Sequence, residues 1–208
     1  MKHLLLIHGA WQGAWAWESV VPELNKFGHV CHPVDLPGNG NGSDDTAPED
    51  VSLELYIRFL AGELDRIGQP VIVVGHSSGG IIASQLAENE PARVRAIVYV
   101  AGMMLPSGMG FADLVEELTP DLPEAAGIIP YLEWSADGET STLIDGAAQK
   151  LFYHDCPKER ADAASAKLKR HPQRGRAIVP QLTDDRFGRV PRAYIEATQD
   201  RAVIPAAQ

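Results

Sequence analysis

Cysteine is scarce in this 208-residue sequence. Cys31 and Cys156 lie far apart, and neither has a second cysteine within three residues, so the sequence excludes a cysteine zinc site and a disulfide framework. A single bridge between the two is an alternative, but two reduced thiols are typical of a cytosolic protein. We therefore expect a cytoplasmic location.

Long apolar runs and an excess of positive charge are also missing. The apolar run at residues 4–7 is shorter than the roughly 7–15 residues of a signal-peptide core, and no stretch approaches the ~20 apolar residues of a membrane span. The sequence holds 18 Lys and Arg against 28 Asp and Glu, which gives a formal charge of −10. An acidic surface repels phosphate backbones and anionic lipids, so we expect no nucleic-acid partner and no membrane partner.

The residues that are present have the composition of one globular domain. Hydrophobic residues make up 45% of the chain and charged residues 22%, which excludes disordered and collagen-like proteins. A chain of this length buries about 70% of its unfolded surface, and it needs no disulfides to be stable.

Apolar runs and segments of helical spacing alternate over the first hundred residues. Strands are predicted at residues 4–7, 30–34, 71–74 and 94–100, and helices at residues 15–27, 53–67 and 79–88. In the second helix, Ser52 supplies the N-cap and Gly68 the stop. The alternation predicts βαβ units, and therefore an α/β fold with a mostly parallel sheet and helices on both faces.

The alternation stops after residue 103. Residues 104–189 contain helical fragments, seven prolines and no clear strand, and we predict that they form a helical cap over the sheet. Residues 1–103 are then the first part of the core domain, and residues 190–208, with a strand at 192–198, continue it. The glycine-rich stretch at residues 38–42 resembles a dinucleotide loop, but no helix follows it, so we interpret it as a turn at the sheet edge.

A strand runs directly into Gly75-His76-Ser77-Ser78-Gly79-Gly80, and a helix follows. This is the context of a nucleophile elbow, in which a strained turn exposes a serine hydroxyl and its neighbours must be small. We predict that Ser77 is a nucleophile and that the amide of Ser78, at the start of the helix, donates to an oxyanion.

Two further segments complete the predicted site. The loop His8-Gly9-Ala10-Trp11 follows the first strand, and the amide of Ala10 is the predicted second oxyanion donor, while His8 is interpreted as a structural side chain. Asp200 follows the strand at residues 192–198 and is the predicted acid that orients a base. None of the seven histidines follows Asp200 in the sequence.

Taken together, these motifs resemble the α/β-hydrolase branch that contains plant methyl esterases, hydroxynitrile lyases and bacterial carboxylesterases. The matching segments also include Asp35-Leu36-Pro37-Gly38, Thr183-Asp184-Asp185-Arg186-Phe187-Gly188 and Tyr194-Ile195-Glu196-Ala197-Thr198-Gln199-Asp200. The resemblance implies an α/β-hydrolase fold with a cap. It also implies that family members continue with a helix, a last strand and a loop bearing the base histidine, so a C-terminal helix and strand are expected to be absent here.

The expected function is that of a serine carboxylesterase, which hydrolyses small or medium apolar esters through an acyl-enzyme without a metal or an organic cofactor. The expected partner is a small ester, and a homodimer is an open alternative to a monomer. The predicted substrate pocket contains Gly9, Trp11, His76 and Trp134, under apolar cap residues. The apolar cap residues that we expect to close over the pocket are Met103, Met104, Leu105, Phe111 and Phe152.

Two alternatives accompany this expectation. In hydroxynitrile lyases of this branch a threonine stands beside the oxyanion loop, and Gly9 occupies that place here, which favours hydrolysis. A truncated or inactive hydrolase that binds small apolar ligands without turnover is the other alternative, because serine is a poor nucleophile without a base.

Overall fold

The strands of the protein form two separate sheets. The computed structural model describes residues 1–39 and 44–208, and every element named below lies in those ranges. The strands are β1 (His3–Ile7), β2 (Val30–Val34), β3 (Val71–His76), β4 (Val94–Val100), β5 (Leu132–Trp134), β6 (Thr140–Leu143), β7 (His171–Pro172) and β8 (Arg192–Ile195).

The larger sheet is parallel throughout, with the strand order β2-β1-β3-β4-β8. β1 pairs with both of its neighbours, so that Ile7 lies opposite Val34 and opposite Gly75. The carboxyl ends of β1, β3 and β8 therefore meet at one edge of the sheet, which is where ligands bind in open parallel sheets. The predicted parallel α/β fold is confirmed.

Helices cover both faces of this sheet. The α-helices are α1 (Val21–Lys26), α2 (Leu53–Ile67), α3 (Gly79–Asn89), α4 (Phe111–Leu118), α5 (Ala147–Leu151), α6 (Lys158–Lys167) and α7 (Gln173–Arg176). Short 3-10 helices lie at Ala14–Trp17, Pro48–Asp50, Pro123–Ala126, Ile129–Tyr131 and Phe187–Arg189. In the described ranges, no helix combines the length and the apolar character that crossing a bilayer would require.

The two faces of β1 explain why its sequence is apolar at consecutive positions. Leu5 and Ile7 pack on the face that α2 and α3 cover, whereas Leu4 and Leu6 pack with Trp17 on the opposite face. Successive side chains of a strand point to opposite faces, so burial of both faces requires apolar residues at every position.

Helix α2 has the boundaries that the sequence predicts. The Ser52 hydroxyl accepts a hydrogen bond from the amide of Leu55 at 3.1 Å, which satisfies one unpaired N–H of the first turn. At the other end, Gly68 adopts a left-handed φ of 65°.

Two predicted elements differ from the structure in extent. The helix predicted at residues 15–27 is divided into a 3-10 helix and α1, because Pro22 has no amide hydrogen and is tolerated only in the first turn of a helix. The strand predicted at residues 192–198 ends at Ile195, since its partner β4 ends at Val100, the residue opposite.

The segment at residues 104–189 is less purely helical than we predicted. β5, β6 and β7 form a three-stranded sheet in which both pairings are antiparallel, with Leu132 opposite Leu143 and Ser141 opposite His171. These strands are three, four and two residues long, too short to show an alternating pattern in the sequence. The boundaries of the cap stay a prediction.

The glycine-rich stretch at residues 38–42 is described only in part. Gly38 has a left-handed φ of 77°, and the side-chain amide of the buried Asn39 donates to the carbonyl of Leu36 at 3.0 Å. Its first residues therefore form a turn, as interpreted, while residues 40–42 lie outside the described ranges.

The packing of α2 predicts a large effect of truncating its buried face. Leu60 is 0% exposed in the main core, so Leu60→Ala should lower the free energy of unfolding by about 2–5 kcal/mol. Phe27→Ala is the control, because Phe27 is 79% exposed, and it should change stability by less than about 0.5 kcal/mol. Urea denaturation measures both variants, and equal losses would contradict this core.

Candidate active site

The sharp turn between β3 and α3 is the centre of the candidate site. Ser77 has a φ of 53°, a left-handed conformation that is unfavourable for a residue with a Cβ and must be held by its surroundings. Its carbonyl accepts hydrogen bonds from the amides of Gly80 and Met103, both at 2.9 Å. These bonds stabilise the turn, and the geometry matches the predicted nucleophile elbow.

Glycines around Ser77 are required by close contacts between backbone segments. A Cβ on Gly75 would lie 2.6 Å from the carbonyl oxygen of Gly79, and a Cβ on Gly79 would lie 2.7 Å from the carbonyl oxygen of Ile7. A Cβ on Gly80 would lie 2.7 Å from the amide nitrogen of Met103. The first turn of α3 therefore packs directly against the ends of β1 and β3 and the chain that follows β4.

The loop after β1 lies beside the turn. A Cβ on Gly9 would be only 2.9 Å from the Cβ of Ser77. Ala10 and Ser78 are 8% and 7% exposed, and in the part of the chain that the structure describes neither backbone amide has a protein acceptor. Backbone amides of buried residues are rarely left unpaired, so two of them next to one serine are candidate donors to a bound oxygen atom.

His8 fixes this loop in place. Its Nδ1 donates to the carbonyl of Gly9 at 2.8 Å, and its Nε2 accepts from the amide of Leu36 at 3.2 Å, which defines the tautomer. Burial lowers the pKa of His8 to about 4, so the ring is neutral near pH 7. The ring joins the loop after β1 to the loop after β2, which is the structural role predicted for it.

A cavity of about 550 Å³ opens above the turn. Its volume is in the usual range for small-molecule sites. Apolar side chains from the sheet, the cap and the C-terminal segment form much of its wall: Val100, Met103, Phe111, Ile128, Leu151, Phe152, Ala202 and Val203. A small ligand with an apolar part therefore fits the cavity.

Asp200 lies in the wall of the same cavity, after the end of β8. Its Oδ1 accepts hydrogen bonds from the amides of Ala202 and Val203 at 2.8 and 3.0 Å, which hold the carboxylate in one orientation. The carboxylate of Asp200 interacts electrostatically with His76. Burial lowers the pKa of His76, and the negative charge of Asp200 opposes that effect. The Nδ1 of His76 is paired with Gln12 Oε1 at 3.0 Å.

Most of the predicted site residues meet in this cavity, and one does not. The residues that line it are Gly9, Ala10, Trp11, His76, Ser77, Ser78 and Asp200. Trp134 does not line it; the side chain is 44% exposed, and Arg176 lies over its ring. Of the cap residues, Met104 is exposed and Leu105 is in the main core, so neither closes the cavity.

Sequence reasoning missed several polar residues in the cavity wall, namely Gln12, Tyr153, His154, Asp155, Arg176, Glu196, Thr198 and Gln199. Tyr153, His154 and Asp155 are consecutive in the sequence, but only the tertiary structure shows that all three reach the cavity. Across residues 1–39 and 44–208, no cluster of three or more His, Cys, Asp or Glu side chains could hold a metal ion.

A parallel sheet with a serine-bearing turn between strand and helix is the architecture of the α/β hydrolases. The chain belongs to this family, because the model described as "Alpha/beta hydrolase family" matches residues 4–208. Among curated proteins, Methylesterase 7 of Arabidopsis thaliana is 31% identical over 222 residues, which cover 97% of this chain and 80% of that protein. Putative methylesterase 11, chloroplastic, of the same plant is 30% identical over 207 residues.

The likeness extends to solved structures. The structure of a novel pyrethroid hydrolase from Sphingobium faniae JZ-2 superposes with a TM-score of 0.84 at 26% identity, and the match covers 100% of this chain and 82% of that one. These likenesses place the chain in the methylesterase and carboxylesterase branch of the family. The chain spans about half the length of three putative chloroplastic methylesterases that it matches, 53%, 47% and 46%.

The close contact at Gly75 predicts that a single methyl group disturbs the turn. Gly75→Ala should destabilise the protein by about 1–3 kcal/mol, because the carbonyl of Gly79 must move to admit the Cβ. Gly62→Ala is the matched control, since a Cβ there meets no atom within 4 Å and alanine favours a helix by up to about 1 kcal/mol. Thermal melting of both variants tests this, and a Gly75→Ala protein that melts no lower than the wild type contradicts it.

The neutral state of His8 predicts a dependence of stability on pH. The unfolded chain binds a proton at His8 near pH 6.5, but the folded chain binds it only near pH 4. The contribution of neutral His8 to the free energy of unfolding is therefore fully present above about pH 6.5. It falls as the pH decreases toward 4, by up to about 1.4 kcal/mol per pH unit.

In urea unfolding at pH 5, 6 and 7, His8→Gln should show a smaller decrease than the wild type. Part of the decrease remains in this variant, because burial also lowers the pKa of His171, to about 3. Gln69→Ala is the control, because it changes an exposed side chain without a titratable group, and it should retain the wild-type pH dependence. The role of His8 is contradicted if its replacement leaves that dependence unchanged.

Proposed function

We propose that the protein is a serine carboxylesterase, which hydrolyses small or medium apolar carboxylic esters through an acyl-enzyme. One observation carries the proposal: Ala10 and Ser78, two buried residues whose backbone amides have no protein acceptor in the described ranges, line the same cavity as the strained Ser77. Membership in the methylesterase and carboxylesterase branch supports it.

In the proposed reaction, Ser77 Oγ attacks the ester carbonyl carbon while an imidazole removes the hydroxyl proton. The carbonyl oxygen becomes an anion and accepts hydrogen bonds from the amides of Ala10 and Ser78. The imidazole returns its proton to the alcohol as the C–O bond breaks. Water then attacks the acyl-enzyme by the same route, which releases the carboxylic acid and restores Ser77.

Asp200 orients the imidazole in this proposal. Two backbone amides occupy its Oδ1, whereas among the described residues its Oδ2 has one contact, with the side-chain amide of Gln208 at 3.5 Å, so Oδ2 can accept a ring N–H. Among the described residues, two histidines line the cavity, His76 and His154. The test below examines both as the source of the imidazole.

The cavity and the relatives both support an ester substrate with an apolar body. Phe111, Leu151 and Phe152 in the wall would exclude water from such a group and favour its burial. The related proteins are named methylesterases and a pyrethroid hydrolase. A cyanohydrin lyase is disfavoured, because Gly9 stands at the place where the lyases of this branch carry a threonine.

A ligand-binding protein without turnover is the second candidate, and one observation favours it. In the described ranges, no histidine ring is hydrogen-bonded to Ser77 or to Asp200. Serine without a base reacts slowly near neutral pH.

Labelling with a fluorophosphonate tests the nucleophile. The wild type and Ser19→Ala, which changes an exposed serine, should be labelled, and Ser77→Ala should not. Replacement of the base should slow labelling by about 10³-fold or more, so His76→Gln and His154→Gln identify which ring serves, if either does. Intact-mass spectrometry measures the extent of labelling.

Each result decides between the candidates. Labelling that persists in Ser77→Ala excludes Ser77 as the nucleophile. A folded wild type that is neither labelled nor active on p-nitrophenyl butyrate favours the ligand-binding candidate. Release of cyanide from a cyanohydrin at a rate comparable to ester hydrolysis would favour the lyase.

A further inference from the structure

One positively charged side chain reaches the cavity from the cap. Arg176 is the last residue of α7, and it forms part of the cavity wall together with Ser77. Its guanidinium carbon lies 5.4 Å from the centre of the Trp11 ring and 5.6 Å from that of Trp134. The charge is therefore held between two indole faces, which attract cations.

The two indoles give the guanidinium a defined position. Trp11 follows Ala10 directly, and its indole N–H donates to the carbonyl of Ser141 at 3.2 Å, which fixes the ring against β6. Trp134 lies on the neighbouring strand β5. The sheet β5-β6-β7 and the loop after β1 thus both hold Arg176 in place, through Trp134 and Trp11. Because Trp11 follows Ala10, it sets the position of Arg176 relative to Ala10.

In the part of the chain that the structure describes, no acidic side chain is paired with the charge of Arg176. Across the described ranges Arg176 takes part in no ion pair, and its Nη1 donates one hydrogen bond, to Gln173 Oε1 at 3.2 Å. Burial lowers the pKa of the guanidinium, which nevertheless stays charged near pH 7. Removing a cation from water without a partner anion is unfavourable, so the site is prepared for an anion from outside the protein.

The acidic residues of the cavity do not fill this role. Asp155 and Glu196 are exposed at its rim, where water screens their charge. Asp200 forms no ion pair with Arg176 in the described ranges, and its Oδ2, which its two backbone amides leave free, is the oxygen assigned to the imidazole in the proposed reaction. The guanidinium therefore keeps unused N–H donors, and planar paired donors match a carboxylate.

We propose that Arg176 determines substrate specificity by binding a carboxylate carried by the substrate. The preferred substrates would then be esters with an apolar middle and an anionic carboxylate remote from the scissile ester, such as half-esters of dicarboxylic acids. This inference rests on the proposed esterase function, because only an esterase has an ester as its substrate. Binding of a carboxylate to Arg176 does not itself require turnover.

Calorimetry with ligands that cannot be hydrolysed tests the inference. The probes are 5-oxohexanoate and 7-oxooctanoate, in which a ketone replaces the ester, and their neutral primary amides. The wild type should bind at least one carboxylate about tenfold or more tightly than its amide, since hydrogen bonds to charged groups are the stronger ones. Arg176→Gln should abolish that preference, and Arg176→Lys should retain part of it.

Arg174→Gln is the matched control, because Arg174 is exposed on the same short helix and does not line the cavity. It should bind all four ligands as the wild type does. The inference is overturned if the wild type binds none of them, if an amide binds as tightly as its carboxylate, or if Arg176→Gln keeps the preference. Should Arg176→Gln fail to fold by circular dichroism, the carboxylate–amide comparison in the wild type and in Arg176→Lys still decides.

The outcome is separable from that of the esterase proposal. Ser77→Ala should bind the ketone ligands with the wild-type preference, because its guanidinium is unchanged. Carboxylate binding through Arg176 without labelling of Ser77 would support this inference and reject the esterase. Labelling of Ser77 without any carboxylate preference would do the reverse.

Discussion

Backbone segments at the candidate site pack so closely that no side chain fits between them. The first turn of α3 touches the end of β1 at Gly79, the end of β3 at Gly75 and the chain after β4 at Gly80. Each of these contacts would place a Cβ within 3 Å of a backbone atom. The contacts bring the loop after β1 against Ser77, and with it the amide of Ala10. The positions of Ser77, the proposed nucleophile, and of both candidate oxyanion donors therefore follow from one packing constraint.

Neutral histidines are the second feature that shapes the site. Burial lowers the pKa values of His8, His76 and His171, so these rings contribute hydrogen-bonding groups and aromatic surface near pH 7, and no charge. The charges that face the cavity are then carboxylates and the guanidinium of Arg176. An isolated charge acts more strongly next to uncharged, poorly solvated walls than it would in water. These few charged groups therefore determine which ligand charges the cavity favours.

Features encoded by neighbouring residues could be predicted from the sequence. Ser52 and Gly68 define the ends of α2 by local hydrogen bonding and backbone conformation, and Gly75 and Gly79 identify the turn at Ser77 by their spacing. Features that depend on distant pairing could not be predicted. The strands of the cap pair residues far apart in the sequence, such as Ser141 with His171, and they are too short for a periodic signal. For the same reason, the sequence predicts Trp134 in the pocket, whereas in the structure Arg176 is part of the cavity wall and lies over the Trp134 ring.

Helix α3 contacts both the turn that carries Ser77 and the segment that leads to Asp200. Its N-terminus holds the turn at Ser77, and near its C-terminus the carboxylate of Glu88 accepts hydrogen bonds from the amides of Thr183 and Phe187 at 2.9 and 3.1 Å. Partial burial acts to raise the pKa of Glu88, but these bonds outweigh it and the net pKa is lowered, so the carboxylate is charged near pH 7.

Thr183 and Phe187 belong to the segment that leaves the cap and enters β8, after which the chain reaches Asp200. A single helix therefore positions Ser77 through its first turn and anchors, through its last turn, the segment that leads to Asp200. Most of the predicted cap lies in the sequence between α3 and this anchored segment, so changes in its short strands and helices would alter polar groups of the cavity wall while α3 keeps its contacts at both ends.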